Sequence, residues 1–194
     1  MTRVVFLVEK PSMADFLNGI LPRFFPHLQF QCVPHNGRTD LVQNVPRKLR
    51  AWHEPGVRFV VMQDQDSGDC HEIKSTLVEL CRRAERPDTL VRIVCRELEA
   101  WYAGDIDAVS DAFPQAKEAA LRKLRGARFR NPDAVVQPAK ALAELIPGFQ
   151  KRRGARSMAS VISRDNNRSR SFQVFIDGVE RLLEELQREV GRAK

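Results

Sequence analysis

Three carboxylates stand where a parallel sheet could turn them to metal chemistry. Glu9 follows the apolar run of residues 4–8, and Asp64 and Asp66 form an Asp-x-Asp pair behind the apolar run of residues 59–62. Carboxylates gathered at one point repel and raise each other's pKa unless a cation neutralises them. Hard oxygen ligands of this kind suit Mg2+ or Mn2+, and such an ion can activate a nucleophile and stabilise charge at a phosphoryl centre. Glu97 and Glu99 follow a further apolar run and stand two apart. They share a face only if the chain there is extended, since on a helix they diverge by about 200°. Glu97 is the favoured extra catalytic carboxylate and Glu99 an extra metal ligand, with a charge at a helix N-terminus the alternative for one of them. A solvated turn is the plainer account of Asp64, Asp66 and Asp69, and for Asp69 a helix cap is the preferred one.

The elements that must carry these acids alternate. Residues 4–8, 28–33, 57–62 and 90–95 read as strands, with helical apolar spacing over 13–21, 40–52 and 69–83 between them. Pro46 inside the second helical stretch predicts a late start for that helix. Crossovers of this length fit parallel pairing, and ligands of open parallel sheets lie at the carboxyl ends of the strands. All the acids named fall on that rim, where Glu9 and Asp64 meet if the first and third strands are neighbours. His35, in Pro34-His35-Asn36-Gly37-Arg38, follows the second strand onto the same rim. After residue 96 the strands stop. Short helices are predicted over 98–102, 107–113, 116–124 and 138–146 and a long amphipathic one over 171–188, while 126–137, 150–156 and 164–170 read as basic loops.

Charge divides the chain. Residues 1–114 hold 14 Lys and Arg against 16 Asp and Glu, while residues 117–170 hold 14 against 4. Positive charge so concentrated suits a polyanion, through backbone phosphates without sequence readout. The basic candidates are Arg128, Arg130, Lys151, Arg152, Arg153 and Arg168, with Lys10 and His35 on the rim and Phe129 placed to stack on a base. A solvated face, or docking of an acidic protein surface, are the other uses of such loops. No apolar run approaches the roughly 20 residues of a membrane span, and no basic-then-apolar signal opens the chain, so the expected compartment is the cytoplasm. Cys32, Cys70, Cys81 and Cys95 form no Cys-x-x-Cys pair and read as reduced thiols.

The stretches V-E-K-P-S, V-P-H-N-G-R-T-D-L, F-V-V-M-Q-D-Q-D-S-G-D-C and C-R-E-L-E-A-W-Y-A-G-D resemble the DUF4276 family, which is similar to Toprim-fold proteins. The likeness continues through Pro138-Ala139-Lys140 and residues 168–175. It implies an α/β fold, a Toprim/Rossmann-like parallel sheet of about four strands flanked by helices. Residues 1–104 would form this core and residues 105–194 a helical, basic region packed on it. Toprim domains of topoisomerases, primases and overcoming-lysogenization-defect nucleases hold Mg2+ on the first-strand Glu and the Asp-x-Asp acids, positions that Glu9, Asp64 and Asp66 match here. They carry out phosphoryl transfer on nucleic acid. The resemblance also implies an ABC- or AAA-type ATPase partner encoded nearby, in bacterial defence against phage. Lys10-Pro11 follows Glu9 where many Toprim domains have a glycine, which keeps the backbone further from a phosphate. Tyr102, the one tyrosine, reads as packing rather than as a nucleophile.

The expectation is therefore a Mg2+- or Mn2+-dependent nuclease acting on nucleic acid. The first alternative is a non-catalytic subunit that binds nucleic acid or nucleotide and regulates a partner ATPase. A haloacid-dehalogenase-type phosphatase places Asp-x-Asp after its first strand, not its third, and a receiver domain needs an acidic pair there. Exposed sheet edges would be covered by the C-terminal helix or by a second copy in a homodimer.

Overall fold

A computed structural model describes residues 3–192. Four strands, β1 (Arg3–Val8), β2 (Gln29–Pro34), β3 (Arg58–Asp64) and β4 (Leu90–Val94), form one parallel sheet in the order β2-β1-β3-β4. Side chains alternate across a strand, and both faces of this sheet are buried. Val4, Phe6, Val8, Val60 and Met62 line one face, and Val5, Leu7, Phe59 and Val61 line the other. That is why the central strands β1 and β3 are continuously apolar, while the edge strand β2 alternates between exposed and half-buried positions.

Helices α2 (Arg38–Ala51) and α3 (Cys70–Arg83) cover the second face through Leu41, Val45, Leu49, Leu77 and Cys81. Helix α1 (Pro11–Phe24) covers the first through Met13, Phe16, Leu17 and Ile20. The chain then adds α4 (Glu99–Ala103), α5 (Ile106–Ala112), α6 (Glu118–Leu124), two 3-10 turns (Ala127–Phe129 and Pro132–Ala134), α7 (Pro138–Leu145), α8 (Lys151–Val161) and α9 (Arg170–Arg192). These thicken the face that α1 covers, and one apolar cluster runs from Val4 to Leu186. Trp101 joins the two halves of the chain. It is buried against Phe16, Phe172 and Phe175, and its indole N–H donates to Ser171 Oγ at 3.1 Å. The same hydroxyl accepts the Cys95 N–H at 3.0 Å, so the start of α9 closes the end of β4. Among the described residues, no helix is long and apolar enough to cross a membrane.

Two sequence expectations fail here. Helix α2 does not start late; it begins at Arg38 and carries Pro46 inside it. Gly37, at φ 99°, makes the turn into the helix, and its N–H donates to Glu9 O at 2.9 Å. Residues 150–156 are not a loop, because α8 starts at Lys151. Its buried face is made of Gly154, Ala155, Met158 and Ala159, and Met158, the one large apolar side chain among them, does not make an apolar stripe. The small residues allow close approach: a Cβ added to Gly19 of α1 would lie 2.6 Å from Ala159 Cβ.

Candidate functional site

The neighbouring positions of β1 and β3 bring the first two acids together. Glu9 leaves β1 with its N–H donated to Met62 O at 3.1 Å, and Glu9 Oε2 accepts the Asp64 N–H at 3.0 Å. Both side chains are almost sealed, at 1% and 2% exposure. Asp66 stands beyond the strand end in the left-handed region, φ 51°, and faces Arg96, also left-handed at φ 61°. Such backbone strain collects at functional sites. Asp66 N–H donates to Arg96 O at 2.7 Å, and Arg96 N–H donates to Gln65 Oε1 at 3.2 Å, so the two bent segments hold each other.

The Lys10 ammonium lies among the three acids, 2.8 Å from Asp64 Oδ2, 3.2 Å from Glu9 Oε1 and 3.9 Å from Asp66 Oδ1. Pro11 restricts Lys10 to extended backbone, and Lys10 sits there as the N-cap of α1, at φ −135° and ψ 151°. Burial alone would lower its pKa, but the ion pairs to Asp64, Glu9 and Asp66 raise it well above the ordinary lysine value. Asp64 moves up to about 8, chiefly through burial, with Glu9 and Glu99 adding to the rise and Lys10 opposing it. Burial also raises Glu99, against the pull of Lys151. Asp64 Oδ1 and Glu99 Oε1 are buried with no hydrogen-bond partner.

The structure separates the two later glutamates. Glu99, 1% exposed, points inward beside the acids. Glu97 Oε2 accepts the Ala139 N–H at the start of α7 at 3.2 Å, and Glu97 Oε1 pairs with Lys151 at 3.1 Å. Glu97 also lines two adjoining cavities. One, of about 310 Å³, runs past Asp66 and Arg96; the other, of about 500 Å³, runs past Lys140, Phe149 and Lys151.

Other predicted residues are engaged elsewhere. His35 is buried, and both of its ring nitrogens are engaged within the fold. Lys48 donates to its Nε2 at 2.9 Å and Nδ1–H donates to Val8 O at 2.9 Å. Burial lowers its pKa, and the ring serves as a brace on the end of β1. Phe129 is 2% exposed under the Arg128 guanidinium, which removes it as a base-stacking platform. Arg152 is bidentate to Asp15 at 2.7 and 3.2 Å, joined by Arg156. Arg168 donates to the Ala103 and Gly104 carbonyls and lines a different cavity, with Asp105 and Arg125. Arg128, Arg130 and Arg153 stand exposed. Asp69 caps α3, accepting from the His71 and Glu72 N–H groups. Tyr102 packs on Phe16 in the core, and burial raises its hydroxyl well above the ordinary tyrosine value.

Sequence reasoning missed two cations of the site. Arg38 reaches Asp66 Oδ2 at 3.2 Å, and Arg96 reaches Asp66 O at 3.4 Å. The signal for Arg38 was its place after the rim glycine, at the first turn of a helix.

Do these residues suit a divalent ion? Among the described residues, no three acids, histidines or cysteines already close on one point. Mg2+ seldom needs such a cage, taking one or two carboxylates with water and substrate phosphate. The unpartnered Asp64 and Glu99 oxygens and the ammonium held among Glu9, Asp64 and Asp66 fit a cation-binding centre.

The fold is similar to two solved structures. The C-terminal region of the Xanthomonas campestris pv. campestris OLD protein aligns with a TM-score of 0.57 at 13% identity, covering 100% of this chain and 98% of that one. The C-terminal region of the Burkholderia pseudomallei OLD protein aligns with a TM-score of 0.59 at 16% identity, covering 91% and 96%. At such identities the likeness is one of fold. No functionally curated protein matches the sequence. A family model described as a domain of unknown function, DUF4276, matches residues 8–180, strand β1 to helix α9, and the chain belongs to that family.

Proposed function

We propose that this chain is a divalent-metal-dependent phosphodiesterase of the Toprim type, acting on nucleic acid. The observation that carries the reading is the convergence of Glu9, Asp64 and Asp66 on one cation at the carboxyl rim of a parallel sheet. Mg2+ or Mn2+ would be held by Glu9, Asp64 and Asp66, with Glu99 behind them. When bound, it supplies charge stabilisation at a phosphoryl oxygen and an activated water. The chain's own residues do the rest. Arg38 and Arg96 hold Asp66 in its bent segment. His35 and Lys48 brace the end of β1, and so the position of Glu9. Lys140 and Lys151 line the adjoining cavity and suit a phosphate backbone, with Arg128, Arg130 and Arg153 as more distant contacts.

One observation favours a second reading. Lys10 already neutralises the acids, as it would in a non-catalytic binding subunit that regulates an ATPase partner. Incubation with plasmid, linear and single-stranded DNA and with RNA, in Mg2+, Mn2+ or EDTA, separates the two. Metal-dependent cleavage lost in Glu9→Gln supports the enzyme. Salt-sensitive binding without cleavage, equal in wild type and variant, supports the binding subunit.

A further inference from the structure

We propose that Lys10 is an exchangeable occupant of the acidic centre. Its ammonium and a divalent ion exclude one another there, and a nucleic-acid phosphate tightens the ion by drawing Lys10 away. The inference rests on the metal-dependent reading above and adds a coupling between metal and substrate to it.

The oxygens of the three acids can be accounted for one by one. Glu9 Oε2 is taken by the Asp64 N–H, and Glu9 Oε1 by Lys10. Asp66 Oδ2 is taken by Arg38, and Asp66 Oδ1 faces Lys10. Asp64 Oδ2 is taken by Lys10, which leaves only Asp64 Oδ1 without a partner. An ion bound by Glu9, Asp64 and Asp66 together needs oxygens that Lys10 now holds, and like charges so close repel strongly.

Lys10 is able to leave. Its side chain is 27% exposed, against 2% for those of Glu9 and Asp64, so it approaches the acids from the mouth of the site. Rotation about four side-chain bonds, Cα–Cβ to Cδ–Cε, moves the charge without moving α1 or the backbone that Pro11 holds. An ammonium displaced from these acids needs another anion. The phosphate of a nucleic acid on this rim supplies one, of the kind lysine binds as a point charge. Binding linkage is reciprocal, so whatever the phosphate adds to metal affinity the metal adds to phosphate affinity.

The test is Mn2+ affinity of the full chain, read as free Mn2+ by electron paramagnetic resonance, with and without a phosphorothioate oligonucleotide. Wild type should bind Mn2+ about tenfold more tightly with the oligonucleotide. Lys10→Met and Lys10→Gln should bind Mn2+ about tenfold more tightly than wild type without it, and the oligonucleotide should then add little. Circular dichroism identifies which variants fold, and Gln keeps a hydrogen bond to Asp64 should Met fail. The inference is overturned if the oligonucleotide leaves the wild-type affinity unchanged, or if a folded variant matches wild type in both conditions. Absence of Mn2+ binding in every protein would overturn the metal-dependent reading itself, a result distinct from tight binding that ignores Lys10.

Discussion

Replacing Asp64 by Asn should stabilise the fold, and increasingly so as the pH rises. Asp64 is 2% exposed, and burial holds its carboxyl at about 8 instead of 3.8. The folded chain therefore keeps a proton that the unfolded chain releases from about pH 4 upward. An acid whose folded value is raised lowers stability as the pH climbs from the unfolded to the folded value, and has no further effect outside that window. Each pH unit within it is worth about 1.4 kcal/mol, so moving from about pH 5 to about pH 8 removes roughly 3–4 kcal/mol from the wild type. Asparagine does not titrate, so the variant lacks this fall. In the variant Lys10 still faces Glu9 and Asp66. Glu99 remains in both proteins and largely cancels in the difference. The assay is urea unfolding of both proteins at the two pH values. The gap should move in favour of Asp64→Asn by about 3 kcal/mol. Parallel pH dependence in the two proteins would refute the assignment of Asp64 as a buried acid of raised pKa.

Trp101→Ala should cost about 3–5 kcal/mol in the same unfolding assay, because it empties the contact between Phe16, Phe172 and Phe175 and removes the indole hydrogen bond to Ser171 Oγ. A change below about 1 kcal/mol would contradict Trp101 as the joint between the two halves. Gly104→Ala should destabilise by about 1–3 kcal/mol, since the added methyl would overlap Asn167 Oδ1; unchanged urea midpoints would count against this packing. Arg153→Ala should weaken nucleic-acid binding and lower the slope of log affinity against log salt by about one phosphate contact, with stability unchanged. An unaltered salt slope would remove Arg153 from the interface.

The sheet was legible because β1 and β3, buried on both faces, announce themselves as apolar runs and the edge strand β2 as an alternation, and the turns after β1 and β3 placed Glu9, Asp64 and Asp66 on one rim. Their convergence was conditional, since local sequence does not say that β3 lies beside β1. Lys10 could be read only as a cation on the rim, and Arg38 was not read as part of the site. That Arg38 reaches Asp66 across the gap from α2, and that Lys10 lies among all three acids, are consequences of packing. Helix α8 escaped notice because its contact with α1 is built from glycine and alanine, which carry almost no apolar signal. Phe129 and His35 misled in the opposite direction. Their neighbours in sequence are polar or basic, yet tertiary packing buries both, and an aromatic ring among arginines looks the same in sequence whether it faces solvent or the core.

The most direct test of the central claim is a time course of nucleic-acid cleavage by wild type and Asp64→Asn in Mn2+. Both proteins should be shown to be folded by circular dichroism first. Metal-dependent cleavage by the wild type, abolished in a variant that is as stable or more stable, is the predicted result. Equal cleavage by the two proteins, or none by either in any divalent metal, would contradict the rim as a catalytic centre.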